Sequence, residues 1–113
     1  FVTDVVNGFY NAALSKKTGE IYNLGSDNPQ SIANLARLIG GKIISIPNRP
    51  GEPKVTWANT TKIKKQLKWK PVIKFEDGVK IMLNNIEDWK FAPLWSPETI
   101  KKATKDWFKY LGK

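Results

Sequence analysis

The stretch IPNRPGEPKVTWAN, residues 46–59, holds the side chains best suited to chemistry in this chain. Arg49 carries a planar fork of donors that fits two phosphate oxygens at once, which lysine cannot imitate. Of 19 basic residues only Arg37 and Arg49 are arginines, so its placement here is informative. Glu52, three residues on, can accept hydrogen bonds from sugar hydroxyls or hold Arg49 in place. Trp57 offers a face on which a base or ribose can stack; a packed core tryptophan is the competing reading. Pro47, Pro50 and Pro53 restrict φ and lower the entropy of fixing the loop. Gly51 permits a tight turn or a close approach of backbone to ligand. The competing reading of the pair is a surface Arg49–Glu52 contact that only stiffens the loop. Asn59 suits a helix cap, and Asn23 a turn at a strand end.

The rest of the chain lacks a self-sufficient catalytic set. There is no cysteine and no histidine, which removes disulfides, thiolates, the commonest general base and the commonest metal ligand. No metal site is expected. A Gly-x-Gly-x-x-Gly turn and a phosphate loop ending in Gly-Lys-Ser/Thr are both missing. Tyr10, Tyr22 and Tyr110 have no lysine four residues later, so there is no Tyr-x-x-x-Lys pair. No apolar run approaches the ~18 residues of a membrane span, and no leader pattern opens the chain. A soluble, cytoplasmic protein is therefore expected.

The formal charge is +9, from 19 basic against 10 acidic residues. Such a balance favours phosphate-bearing partners. The excess is mostly lysine, scattered rather than striped, as on solvated surface. A small basic nucleic-acid-binding module is thus the competing class, and neither nucleic acid nor membrane is the expected partner.

The elements that must position the loop are short. Thr3 and Asp4 can cap a helix reaching residue 16, with Val5, Val6, Phe9, Ala12 and Ala13 at helical spacing. Residues 21–24 read as a strand. Ser31 caps a helix with Ile32, Leu35, Ala36 and Ile39 on one stripe, stopped by Gly40-Gly41. The β-branched run 43–46 reads as a second strand. Asn59 or Thr60 caps a short helix to residue 67, and a further helix is predicted over 76–88. Ser96-Pro97-Glu98 starts a last one, with Ile100, Ala103, Trp107 and Phe108 on one side. The expected fold is a small, mostly helical α/β subdomain with a two- to three-stranded parallel sheet. That sheet is thin for a free-standing α/β domain, and Phe1 opens the chain inside an apparent strand end, the mark of a fragment.

The run EIYNLGSDNPQSIANLARLIGG, followed by RPGEPKVTWANTTKIKKQLKWKPVIKFEDGV, resembles the C-terminal part of extended short-chain dehydrogenase/reductases. Within them it is most similar to NAD-dependent nucleotide-sugar epimerases and dehydratases, notably UDP-glucose 4-epimerases. FVTDVVNGFYNAA resembles the segment entering their substrate domain. IYNLGS with the following SI resembles the next strand–helix unit. RPGEP…WANTTK resembles their Arg-x-Gly-acid element with its aromatic-Ala-Asn helix start. LKWKPVIKFEDGV resembles their Leu-Gly-Trp-x-Pro and acidic-Gly helix start. Lys68 departs from a usual glycine, and Lys74 from a usual Ser or Thr cap.

The resemblance implies roles by position. Arg49 would contact the diphosphate of a nucleotide-sugar, Glu52 would lie near the ribose, and Trp57 would line or support the pocket. It implies residues 1–88 as a nucleotide-sugar-binding C-terminal subdomain of a Rossmann-type enzyme, with 89–113 a helical extension packed on it. Trp95 and Trp107 there read as packing residues. It implies NAD in the intact enzyme, oxidising a sugar hydroxyl to a transient ketone, and a homodimer formed through the N-terminal domain. The fingerprint and the Tyr-x-x-x-Lys pair of that family belong to its N-terminal half, so this stretch alone is expected to be inert.

Overall fold

The computed structural model describes residues 1–112. Helix α1, Val2–Leu14, buries Asp4 and Gly8. With half-buried Ala12 they form an i, i+4, i+8 stripe facing inward. Of the expected stripe only Ala12 faces inward; Val6 is 59% and Phe9 67% exposed. Gly8 explains the choice of face. A β-carbon there would come within 2.1 Å of a Leu24 methyl and 3.3 Å of Trp69 Nε1. Only glycine lets the segment after α1 and the indole close on the helix.

Helix α2, Ile32–Ile39, starts at Ser31 as expected, whose Oγ accepts the Asn34 amide at 3.0 Å. It ends at Gly40. Helix α3, Thr61–Leu67, follows Thr60; Asn59 Oδ1 accepts the Thr61 amide at 3.0 Å, so Asn59 serves as a cap. Helix α4, Phe75–Asn84, packs on α2 and passes into a 3-10 turn at Ile86–Trp89, shorter than the helix expected over 76–88. Helices α5, Pro97–Ala103, and α6, Lys105–Leu111, replace the single expected last helix. Thr104 divides them: its amide keeps the Ile100 carbonyl at 2.9 Å and its hydroxyl donates to the same oxygen at 2.8 Å, a shared acceptor of the kind that bends helices. Lys113, the last residue of the expected extension, lies outside the described residues.

The expected α/β class is corrected. Among the described residues there is no strand, and the two- to three-stranded parallel sheet is absent. Residues 21–24 and 43–46 form no ladder. Ile43, Ile44 and Ile46 are 60%, 56% and 45% exposed, so their β-branched side chains find no pleated surface to pack on. An isolated pair of strands is marginal without a covered face. What positions the site is instead a core of Ile63, Leu67 and Trp69, packed against Ala12, Tyr22 and Leu24.

That core fixes one extended segment, 20–25, on α3. Tyr22 donates its hydroxyl to Gln66 at 2.6 Å, and Lys62 both pairs with Glu20 at 2.7 Å and lies over the Tyr22 ring. The Trp69 indole donates to the Asp4 carbonyl at 2.9 Å, tying α1 to the end of α3.

Candidate functional site

Arg49, Pro50, Gly51 and Glu52 form a β-turn, closed by the Glu52 amide on the Arg49 carbonyl at 3.3 Å. Proline second and glycine third, with Gly51 at φ +75°, are the requirements of a type II turn. The turn brings its two ends side by side. Arg49 Nε then donates to Glu52 Oε2 at 3.1 Å, and Nη2 to Oε1 at 2.6 Å. This is a bidentate pair on an exposed loop. The Arg49 hydrogen bond, and then its charge, hold the Glu52 carboxyl below the usual carboxylate range. The Glu52 partner in turn raises the Arg49 guanidinium above its ordinary value.

A cleft of about 1220 Å³ lies between this loop and the 22–31 segment. One wall runs from Tyr22 to the start of α2, the other from Glu52 to Asn59. Outside its lining, two contacts tie Asp27 to α3 and the residue before it. Thr60 donates to Asp27 Oδ1 at 2.6 Å, and Lys64 forms an ion pair with Asp27 Oδ2. These bonds, led by that of Lys64, lower the Asp27 carboxyl from its usual range. Asn23 reaches across to the Asn59 carbonyl at 3.5 Å.

Of the three candidate residues, the structure brings Glu52 and Trp57 into one cleft lining. Arg49 does not line it, and is joined to it through Glu52. Trp57 is 70% exposed, so the competing core reading of that tryptophan does not hold. The tryptophan that is buried is Trp69, at 4%. Trp95, read as a packing residue, is 66% exposed.

Sequence reasoning missed the partner on the other side of Arg49. Trp107 of α6 places its ring centroid 5.2 Å from Arg49 Cζ and donates its indole N–H to the Pro50 carbonyl at 2.7 Å. No local signal joins residues 57 apart. Chemically, the arrangement offers a fixed guanidinium, a carboxylate with spare lone pairs and an exposed indole beside a polar cleft. Such a set suits a phosphate-bearing ligand with a flat ring. No group of three or more potential metal ligands occurs among the described residues. No helix there is long and apolar enough to cross a membrane.

Comparison with known proteins defines the class. Residues 1–82 match the family model described as GDP-mannose 4,6 dehydratase. The chain belongs to this family, within the NAD-dependent epimerases and dehydratases of the short-chain dehydrogenase/reductase type. It is 36% identical over 108 residues to a UDP-glucuronate 4-epimerase of Thermodesulfobacterium geofontis, covering 89% of this chain and 30% of that protein. It is 32% identical over 116 residues to UDP-glucuronic acid decarboxylase 1 of Xenopus tropicalis, covering 91% and 27%. A dTDP-glucose 4,6-dehydratase of Shigella flexneri shares 27% over 118 residues, covering 92% and 32%. The chain thus spans about 30% of the length of the curated relatives it matches. No solved structure matches it significantly.

Proposed function

We propose that this chain is the diphosphate-anchoring, substrate-binding part of an NAD-dependent nucleotide-sugar 4-epimerase. The observation that carries the reading is the joint placement of the three side chains. Glu52 and Trp57 line one cleft, and Glu52 is bonded to Arg49. In this reading Arg49 grips the diphosphate with the donors that Glu52 leaves free. Glu52 uses two of its roughly four acceptor sites on Arg49 and keeps the others for a ribose hydroxyl. Trp57 stacks on the nucleoside. The part orients substrate, so its contribution is placement of the sugar rather than a proton or hydride step.

NAD is the proposed cofactor of the whole protein. The glycine-rich turn and the Tyr-x-x-x-Lys pair that would serve it are not in these residues. A cytoplasmic homodimer completes the proposal. A 4,6-dehydratase or reductase of the same family is the second reading. The relative named for 4-epimerisation, at 36% identity against 27% for the dehydratase, favours the first.

The test is Arg49→Ala in the protein as its gene encodes it. Losing charge-assisted hydrogen bonds to a diphosphate is expected to raise KM for the nucleotide-sugar by roughly ten- to a hundred-fold. The effect on kcat is expected to be smaller. Unchanged kinetics would count against Arg49 as the anchor.

A further inference from the structure

From Gly41 to Trp57 every residue is exposed except Arg49 and Pro50, which are half-buried. Those are the two residues met by Trp107, the indole N–H on the Pro50 carbonyl and the ring beside the Arg49 guanidinium. The side chain comes from α6, beyond the residues 1–82 that follow the family pattern.

Arg49 is therefore held on two sides. Glu52 takes the edge formed by Nε and Nη2. Trp107 covers one face. What remains is the opposite edge, with both Nη1 hydrogens and the outer Nη2 hydrogen, the arrangement that a phosphate pair requires. Fixing a long, rotamer-rich side chain before the ligand arrives removes an ordering cost from binding.

We propose that Trp107 is a positioning residue for Arg49, so that the C-terminal helix tunes the grip on a nucleoside diphosphate. The proposal rests on the reading of Arg49 as the diphosphate anchor. Trp107 does two separable things. Its ring stacks on the cation, and its N–H fixes the turn through Pro50.

The experiment is a double-mutant cycle in the full-length protein, read by calorimetric titration. UDP, dTDP and GDP are the probes, and the tightest of them is carried through. Trp107→Leu is expected to weaken binding about two- to five-fold, as for an exposed cation–π contact. Trp107→Phe, which keeps a ring but loses the N–H, is expected to lose less. In the Arg49→Ala background, Trp107→Leu is expected to change nothing further. An equal loss in both backgrounds would make Trp107 a general structural support and overturn the proposal. So would unchanged binding by Trp107→Leu where Arg49→Ala is costly. If Arg49→Ala itself costs nothing, the anchor reading fails and this one with it. Should the leucine variant not fold, the phenylalanine variant runs the same cycle, and additivity there also overturns the proposal.

Discussion

Asp4 is 4% exposed and both its carboxylate oxygens are engaged. Oδ1 accepts the Val72 amide at 2.9 Å and Oδ2 the Ile73 amide at 3.2 Å. The sequence suggests Asp4 as a helix cap, yet it sits inside α1 and satisfies two amides of a distant segment. Replacing it with alanine leaves those amides without a partner, at a cost of about 2–3 kcal/mol. Urea unfolding of the full-length protein should show a midpoint lowered in proportion, with Asp4→Asn intermediate because it retains one acceptor. An unshifted midpoint for Asp4→Ala would refute the role. The Arg49–Glu52 contact, by contrast, was legible as the competing reading of the loop, since an arginine, a proline, a glycine and an acid in a row permit a tight turn that brings its ends together. Trp107 was not, because its partners lie far off along the chain.

Helix α3 ends at Lys68, the only described non-glycine residue with positive φ, at φ +54° and ψ +22°. The resemblance drawn from the sequence implies glycine there, and lysine accepts the left-handed backbone instead. A β-carbon in that region costs roughly 1 kcal/mol, which glycine removes, less its own entropy in the unfolded chain. Lys68→Gly is expected to raise the melting temperature of the full-length protein by a few degrees; a lowered one would show that the lysine stem contributes packing. Two helix starts were read correctly from sequence, whereas the start expected at Thr3 and Asp4 falls inside α1. Ser31 and Ser96 both cap as their spacing suggests, the latter in a reciprocal box with Thr99. These two caps are local chemistry, set by residues three apart. The strands were misread because a β-branched run is only half of a ladder. Pairing depends on a neighbour that periodicity does not supply. The single last helix is instead two short ones meeting at Thr104, whose hydroxyl and amide share the Ile100 carbonyl, a junction that apolar spacing does not reveal.

The whole chain exposes 9990 Å², against about 6300 Å² for a compact monomer of its mass. Its radius of gyration is 18.0 Å, against about 13 Å for a compact domain of its length. Much of the excess is apolar: Val2, Val6, Phe9 and Leu14 on α1, and Phe91, Leu94 and Trp95 before α5. Exposed apolar surface of this extent binds hydrophobic dyes and self-associates. The 113-residue chain produced alone is therefore expected to enhance ANS fluorescence and to run larger than a monomer in light scattering. A dye-silent monomer with a sharp unfolding transition would contradict the open arrangement.

The small core is also assembled from far ends: Trp69 reaches back 65 residues to Asp4, and the Ile73 amide 69. During synthesis α1 therefore leaves the ribosome long before its partners do. Its contacts with Trp69, Val72 and Ile73 cannot form until the stretch through Ile73 has emerged, which makes this core slow to assemble.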